Sequence, residues 1–518
     1  MSKRLSRIQI GEWIDIAARQ VPDKALWVCG DGRSITYAES QLRVHRLASA
    51  LAKRGVEQHD RVAILAIDSP EYMETILAIA KLGAVAVPLN YRLKSPEVEL
   101  LLGTGRPKYL FVSSRYVEIA NDIVTRLPEP CDVVGYDGGD TIGAIDFLDL
   151  LAEGDDRFAD VEVDEDDMLS LSFTSGTTGL PKGVMQSHRM FKQMGSNTIL
   201  EYRFQRDEFR YSAAPMFHIA GMGLVINCIL RCQSALILPQ FDAETVVAWM
   251  RKGVTGVFLV PTMISSILKV PSIREGGFES VKTIFYGAAP MTPTLLRETI
   301  EIFGEDCDFY NGFSAGTEAG MQTLLTPEDH RRALAGEPHL LESIGRPGYA
   351  VDLRLVDDDM NDVPRGTVGE IATRSDMVMN GYLDQPERTA QAVVDGWIRA
   401  GDLAWQDDEG YLYLAGRKND MIIRGGENVY PVEIESVLAE YPGLFESAVV
   451  GVPDDHWGEV VKAFVVMSDG TEVDIDHLRA FCGERLARYK VPEIITVLPE
   501  LPKNASGKIL KRELRQWT

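Results

Sequence analysis

The sequence predicts an α/β protein with a large N-terminal domain over 1–418, built of layered α/β subdomains and closed by a β-rich subdomain at about 346–418, followed by a small α+β domain over 419–518. Three observations lead there. Short apolar runs at 61–67, 84–87 and 108–112 alternate with amphipathic stretches such as 71–81, the rhythm of strands joined by helices. From about Val351 the texture changes to short strand-like segments broken by acidic turns, as at 355–362 and 406–410. After the polar run 416–420, a helix at 432–440, strands at 447–452 and 461–466 and a helix at 475–487 make a module of their own.

At 518 residues the chain exceeds a single ordinary core. Hydrophobic residues at 45% with 25% charged ones describe a folded protein rather than a disordered one. The formal charge of −24 sets the surface against nucleic acid and anionic lipid, so any phosphate site must be local. No apolar run reaches the roughly 20 residues a membrane helix needs, and no apolar core of signal-peptide length follows the first residues. A cytoplasmic location is therefore expected, with a homodimer among the assemblies the sequence allows. Six cysteines without a CxxC pair read as buried, reduced thiols.

A buried strand at 168–173 runs straight into a polar loop, and further strand-like runs recur at 254–260 and 281–286. Strand tips of this kind gather loops at one sheet edge, where α/β folds bind ligands. The loop is Thr174-Ser175-Gly176-Thr177-Thr178-Gly179-Leu180-Pro181-Lys182-Gly183. Its glycines let backbone approach an anion, its hydroxyls donate to phosphate oxygens, and Lys182 adds a positive charge. It lacks the Gly-Lys-Ser/Thr ending of a Walker A loop. By composition alone it is also an ordinary solvated turn.

The order of residues decides. Leu171 to Gly183 resembles the signature loop of the adenylate-forming superfamily, which contains acyl-CoA synthetases, nonribosomal-peptide adenylation domains and firefly luciferase. Other stretches resemble the family's later motifs, in order: Ala214-Pro-Met-Phe-His-Ile-Ala-Gly221, Tyr286-Gly-Ala-Ala-Pro290, the pair Thr317-Glu318, Gly396-Trp-Ile-Arg-Ala-Gly-Asp402, the linker around Arg417, and Pro502-Lys-Asn-Ala-Ser-Gly-Lys508. The resemblance spans nearly the whole chain, from Ile35 to Lys508.

It implies an ATP-dependent acid–CoA ligase using Mg²⁺, ATP and coenzyme A. Thr174, Ser175, Gly176, Thr177, Thr178, Gly179 and Lys182 would close over the ATP phosphates, and Gly287, Ala288, Ala289, Asn311, Gly312 and Phe313 would hold adenine. Thr317 would meet the α-phosphate, Glu318 would ligate Mg²⁺, and Asp402 and Arg417 would hold the same nucleotide. An acceptor-only carboxylate such as Asp402 suits a ribose diol. Lys508 would be the adenylation lysine, aligning carboxylate and α-phosphate, since two anions need charge neutralisation more than a base. The C-terminal domain would then turn about Asn419 and bring Gly425 and Gly426 to the pantetheine path. Trp457 and Tyr489 are candidates to touch coenzyme A, with core packing an equal account of each.

Two positions depart from the family pattern. The family usually carries an aromatic residue four before the Glu, where this chain has Ser314, with Phe313 one earlier. Either an inserted residue lets Phe313 stack on adenine or the stacking role has moved. Asn419 stands where the family's pivot is commonly Asp or Lys.

The acyl pocket is expected from His218, Ile219, Gly221, Met222, Thr262, Met263, Gly287, Ala288, Gly312 and Ser314. That mostly small or apolar set favours a fatty acid, with an aryl or arylpropenoic acid as the alternative. A carrier-loading adenylation domain is a remoter reading, because no acidic residue follows His218 to pair with an amino group. A luciferase-like oxygenase has no positive sign, and a nucleotide sensor without turnover is disfavoured by Lys508, Glu318 and Asp402 occurring together.

Overall fold

Local chemistry starts and stops the elements that carry the N-terminal region. Helix Pro70–Leu82 begins where the Ser69 side chain accepts from Tyr72 N–H, with Pro70 in the first turn, and ends at Gly83 in the left-handed conformation (φ 64). It joins the parallel strands Arg61–Leu65 and Val85–Pro88. The computed structural model describes residues 8–136, 144–159, 161–174, 181–287, 291–454, 456–468, 471, 473–503 and 509–517. The chain divides into one unit of Met1–His330, Pro347–Asp352 and Arg374–Ile398, and another of Arg331–Arg346, Leu353–Thr373 and Arg399–Thr518.

The first unit holds two large sheets. One runs in the order Gly381–Tyr382, Lys182–Ser187, Met168–Thr174, Val85–Pro88, Arg61–Leu65, Tyr109–Val112, Asp132–Gly135 and Ile145–Asp146. Its central strands are parallel and buried on both faces. Val62 and Ile64 belong to one core cluster, while Ala63 and Leu65 belong to another, as the two-residue period of a strand requires. The other sheet includes, side by side, Met321–Leu325, Asp308–Ser314, Thr283–Gly287, Gly256–Leu259, Phe209–Ser212, Ser234–Ile237, Ala25–Cys29 and Ser34–Thr36. Thr283–Gly287 and Asp308–Ser314 pair in parallel, placing Gly287 opposite Gly312.

In the second unit, residues 402–406 of strand Trp397–Gln406 pair antiparallel with Leu412–Arg417. The acidic turns read from sequence are capped by their own side chains. Asp357 accepts from the N–H groups of Asp359 and Asn361, and Asp407 from those of Glu409 and Tyr411. Further on, Leu444–Asp454 and Gly458–Met467 form a long antiparallel pair, and Gly458–Met467 also pairs with Ile422–Arg424 near its start and, in parallel, with Ile494–Val497.

Both strands of that pair outrun the apolar stretches 447–452 and 461–466, because ladder hydrogen bonds continue where the side chains turn polar. Helix Ile475–Gly483 is shorter than the predicted 475–487: it closes at a glycine, the weakest helix former after proline. All six cysteines are free thiols, and all but Cys131 are buried. Among the described residues no helix is long and apolar enough to cross a membrane.

Candidate active site

The phosphate-type loop is the connection of a β-hairpin. Strand Met168–Thr174 enters it and Lys182–Ser187 leaves it, with Thr174 paired directly to Lys182 and Ser170 to Gln186. The loop residues Ser175, Gly176, Thr177, Thr178 and Gly179 lie outside the described residues, as do Ala288, Ala289 and Lys508. The hairpin ladder still locates the two ends. Lys182 and Gln186 share one face of the return strand, four residues apart at a period of two.

That face meets the Thr317–Glu318 turn. Gly316 (φ 80) and Gly320 (φ 63) bracket this turn in left-handed conformations, and Gly320 N–H bonds to Gly316 C=O. The Gln186 side chain, fully buried, donates to the Thr317 carbonyl at 3.1 Å and accepts from Ser172 Oγ at 2.8 Å. The Glu318 carbonyl takes a hydrogen bond from Met379 N–H at 2.8 Å. Backbone on both sides therefore presents the Glu318 carboxylate.

A residue not singled out from sequence connects the parts. Strand Gly381–Tyr382 pairs with Val184 and Met185 of the return strand. Tyr382 Oη accepts from Lys182 Nζ at 3.4 Å and donates to Glu318 Oε1 at 3.1 Å, while the ammonium stands 4.9 Å from the ring centroid. Burial, with the Glu318 charge beside it, pushes the phenol pKa up, so the hydroxyl keeps its proton. A period-two count along 182, 184 and 186 could have flagged Gln186. Nothing local flags Tyr382.

Asn311, Gly312 and Phe313 lie on strand Asp308–Ser314, which pairs regularly with the return strand Met321–Leu325 as far as Phe313 and Thr323. The register then slips by one. The extra residue is Gln322 on the return strand, buried and bonded through its amide to Ala319 C=O. Phe313 thus stays on the Asn311 face and is half-buried, while Ser314 is exposed on the Gly312 face. A Cβ on Gly287 would sit 2.4 Å from Gly312 C=O, and one on Gly312 would sit 2.4 Å from Tyr202 Oη, so both glycines are required by close approach.

Of the acyl-pocket candidates, His218, Thr262 and Ser314 are exposed, and Met263 is intermediate. His218 caps helix Ile219–Leu230 through Nδ1. The protein around it desolvates the ring and lowers the imidazole pKa. Ile219 and Met222 instead pack into the core. Gly221 backs onto its own lead-in loop, where a Cβ would meet Pro215 C=O at 2.2 Å and Ala214 C=O at 2.3 Å. That loop is tied down by Asp68, whose carboxylate accepts from Met216 N–H at 2.9 Å and whose pKa is pushed up to about 7 by burial.

In the second unit Asp402 and Arg417 face each other across the ladder, joined by a 2.7 Å ion pair. Asn419 sits in the short 3-10 turn Lys418–Asp420, and its carbonyl accepts from Arg515, which also pairs with Asp420 at 2.9 Å. Lys418 pairs with Glu370 at 3.0 Å and with Asp358. Gly425 (φ 59) and Gly426 (φ 89) form a tight turn, and Gly425 N–H bonds to Trp457 C=O at 2.7 Å. A Cβ at Gly425 would lie 2.8 Å from the Trp457 ring. Arg424 spans this cluster, its guanidinium 5.7 Å from the Trp457 centroid and bonded to Tyr489 C=O. Trp457 and Tyr489 are 45% and 36% exposed, so core packing, the competing account of each, is overturned.

A family model described as AMP-binding enzyme matches residues 14–383, and one described as AMP-binding enzyme C-terminal domain matches 433–508. The chain belongs to the AMP-binding enzyme family. It is 37% identical over 513 residues to a feruloyl-CoA synthase of Amycolatopsis sp, covering 98% of each chain. It is 36% identical over 488 residues to a long-chain-fatty-acid–CoA ligase of Mycobacterium tuberculosis, covering 93% of each. The crystal structure of ATP-bound MatB from Rhodopseudomonas palustris is similar with a TM-score of 0.89, at 28% identity over 98% of this chain and 99% of that one. The large N-terminal and small C-terminal domains of this α/β fold are those of the adenylate-forming enzymes.

Proposed function

We propose that the protein is an ATP-dependent carboxylic acid–CoA ligase of the AMP-forming kind, making an acyl-adenylate and pyrophosphate, then acyl-CoA and AMP. The enzyme class follows from the family and from the CoA ligases among the relatives. The observation that carries the mechanism is the convergence of Lys182 and Glu318 on one hydroxyl at the mouth of the hairpin loop. A cation for departing phosphates stands on a strand of one sheet, a carboxylate for their counter-ion stands on a turn between two strands of the other, and one phenol joins them.

Glu318 offers a hard carboxylate donor, which suits Mg²⁺, an ion that takes one or two carboxylates and completes its shell with phosphates and water, while Thr317 would meet the α-phosphate. When bound, the ion would neutralise charge on the departing pyrophosphate. Lys182 would hold the same phosphates, Asp402 the ribose hydroxyls, and Phe313 the adenine. Lys508 would align the acid for adenylation. The second step needs a thiol at the same carbonyl, so we assign the residues from Asn419 onward to a domain that turns, with Gly425, Gly426, Trp457 and Tyr489 toward coenzyme A. The clustering of Gly425, Trp457 and Tyr489 around Arg424 supports that grouping.

Two acid classes have equal support. The lean toward a fatty acid gives way, because an arylpropenoic relative and a long-chain aliphatic one stand at 37% and 36% identity. AMP release with a panel of fatty and aryl acids, with and without coenzyme A, tests the reading, and no AMP from any acid would end it. Lys508→Ala should nearly abolish adenylate formation and leave thioester formation from pre-made adenylate within about twofold, whereas equal losses in both steps would reject the role of Lys508.

A further inference from the structure

We propose that Tyr382 is a positioning residue for the phosphate chemistry, its hydroxyl holding the Lys182 ammonium and the Glu318 carboxylate and so setting how readily the site takes up magnesium nucleotide. The proposal rests on the adenylation reading above. A buried phenol needs one hydrogen-bond partner, and this one stands between two opposite charges that come from separate segments of the chain. A hydroxyl can accept from the ammonium and donate to the carboxylate at once, which no other uncharged side chain of this reach does as compactly. Donation to Oε1 fixes the Glu318 rotamer and leaves Oε2 available to a cation. This is the relation outer partners have to metal-binding carboxylates.

The phenol is itself held firmly. Tyr382 pairs with Val184 on the return strand, and its N–H donates to Thr389 Oγ1 at 2.9 Å. Thr389 sits so close to Gly381 that a Cβ there would meet its Cγ2 at 2.8 Å. The side chain is 5% exposed. The hydroxyl is therefore fixed by the same sheet edge that fixes Lys182, and its position relative to Glu318 is a property of the fold.

Tyr382→Phe keeps the ring beneath the ammonium and removes only the hydroxyl. Three measurements on the purified full chain test the proposal: calorimetric binding of ATP with and without Mg²⁺, ATP–pyrophosphate exchange against Mg²⁺ concentration, and thioester formation from pre-made adenylate. With a melting temperature near that of the wild type, Tyr382→Phe should bind MgATP roughly 10-fold more weakly and metal-free ATP almost unchanged. Its exchange rate should fall roughly 10- to 100-fold with a higher half-saturating Mg²⁺, and the thioester step should move less than about twofold.

In a Glu318→Gln background the same change should add little, since the hydroxyl acts through that carboxylate. A folded Tyr382→Phe with wild-type Mg²⁺ dependence, equal losses in both half-reactions, or full additivity with Glu318→Gln would overturn the proposal. Should Tyr382→Phe not fold, calorimetry on Glu318→Gln decides: an unchanged preference for MgATP over ATP would remove the carboxylate through which Tyr382 is said to act. A wild type that releases no AMP would instead remove the adenylation reading beneath it.

Discussion

Replacing Gln186 by methionine removes the link between the phosphate-loop hairpin and the Thr317–Glu318 turn while nearly conserving volume. Gln186 is fully buried, donates to the Thr317 carbonyl at 3.1 Å and accepts from Ser172 Oγ at 2.8 Å. Two neutral hydrogen bonds contribute about 1 kcal/mol each, and an orphaned buried carbonyl costs about 1–3 kcal/mol. Ser172 has Ser170 Oγ at 3.4 Å to turn to, so the carbonyl dominates. The sum is a loss of about 2–4 kcal/mol of stability in the first unit. If the turn shifts to rehydrate Thr317, part of that energy appears in the barrier, and each ~1.4 kcal/mol is a tenfold change in rate.

Exchange of pyrophosphate into ATP should then drop roughly 10- to 100-fold in kcat/KM for MgATP, by the same conversion. Gln186→Glu should do worse: it keeps an acceptor for Ser172 but sets a carboxylate oxygen against the Thr317 carbonyl. Melting temperature and exchange kinetics on the same preparations are the assay. A Gln186→Met protein that melts and exchanges like the wild type would refute the reasoning.

Two further outcomes follow from the geometry near His218. Gly221→Ala should destabilise by about 1–3 kcal/mol and raise the KM for the acid, since its Cβ would strike the backbone carbonyls of Ala214 and Pro215. Gly223→Ala should be milder, because its Cβ meets only the flexible Met194 Cε tip at 2.8 Å, and thermal melts of the pair separate the cases. Asp68 titrates near 7 in the fold against an ordinary 3.8, so the native state binds the proton more tightly than the unfolded one. Its contribution to stability is therefore full below about pH 4, falls as pH rises toward 7, and is gone above that. Asp68→Asn, which still offers an oxygen to Met216 N–H, should flatten the pH dependence of the melting temperature between 4 and 7 and stabilise the protein above 7. An unchanged slope would contradict the assignment.

Much of the fold was legible because its signals are local. Ser69, Pro70 and Gly83 punctuate a helix within a few residues, and the apolar runs at 61–67 and 108–112 announce the strands found at Arg61–Leu65 and Tyr109–Val112. The edges were less so. Residues 475–487 look helical throughout, yet the helix closes at Gly483, and strand Leu444–Asp454 extends into polar sequence because its partner does. The slip that skips Gln322, and with it the partner that Ser314 meets across the ladder, depends on two strands meeting.

The chemical vocabulary of the protein was already written in the chain: an α/β sheet, a Ser/Thr/Gly loop ending in Lys182, and the pair Thr317-Glu318, each carried by neighbours along the backbone. How those parts are held was decided by folding alone. Tyr382 is 200 residues from Lys182 and 64 from Glu318, and Gln186 is 131 from Thr317. A hydrogen bond reaches about 3 Å whatever the length of chain it closes, so no local pattern encodes it. Only the pairing of Gly381–Tyr382 with Lys182–Ser187, and the close approach of Gln186 to the Thr317 carbonyl, bring these groups within reach.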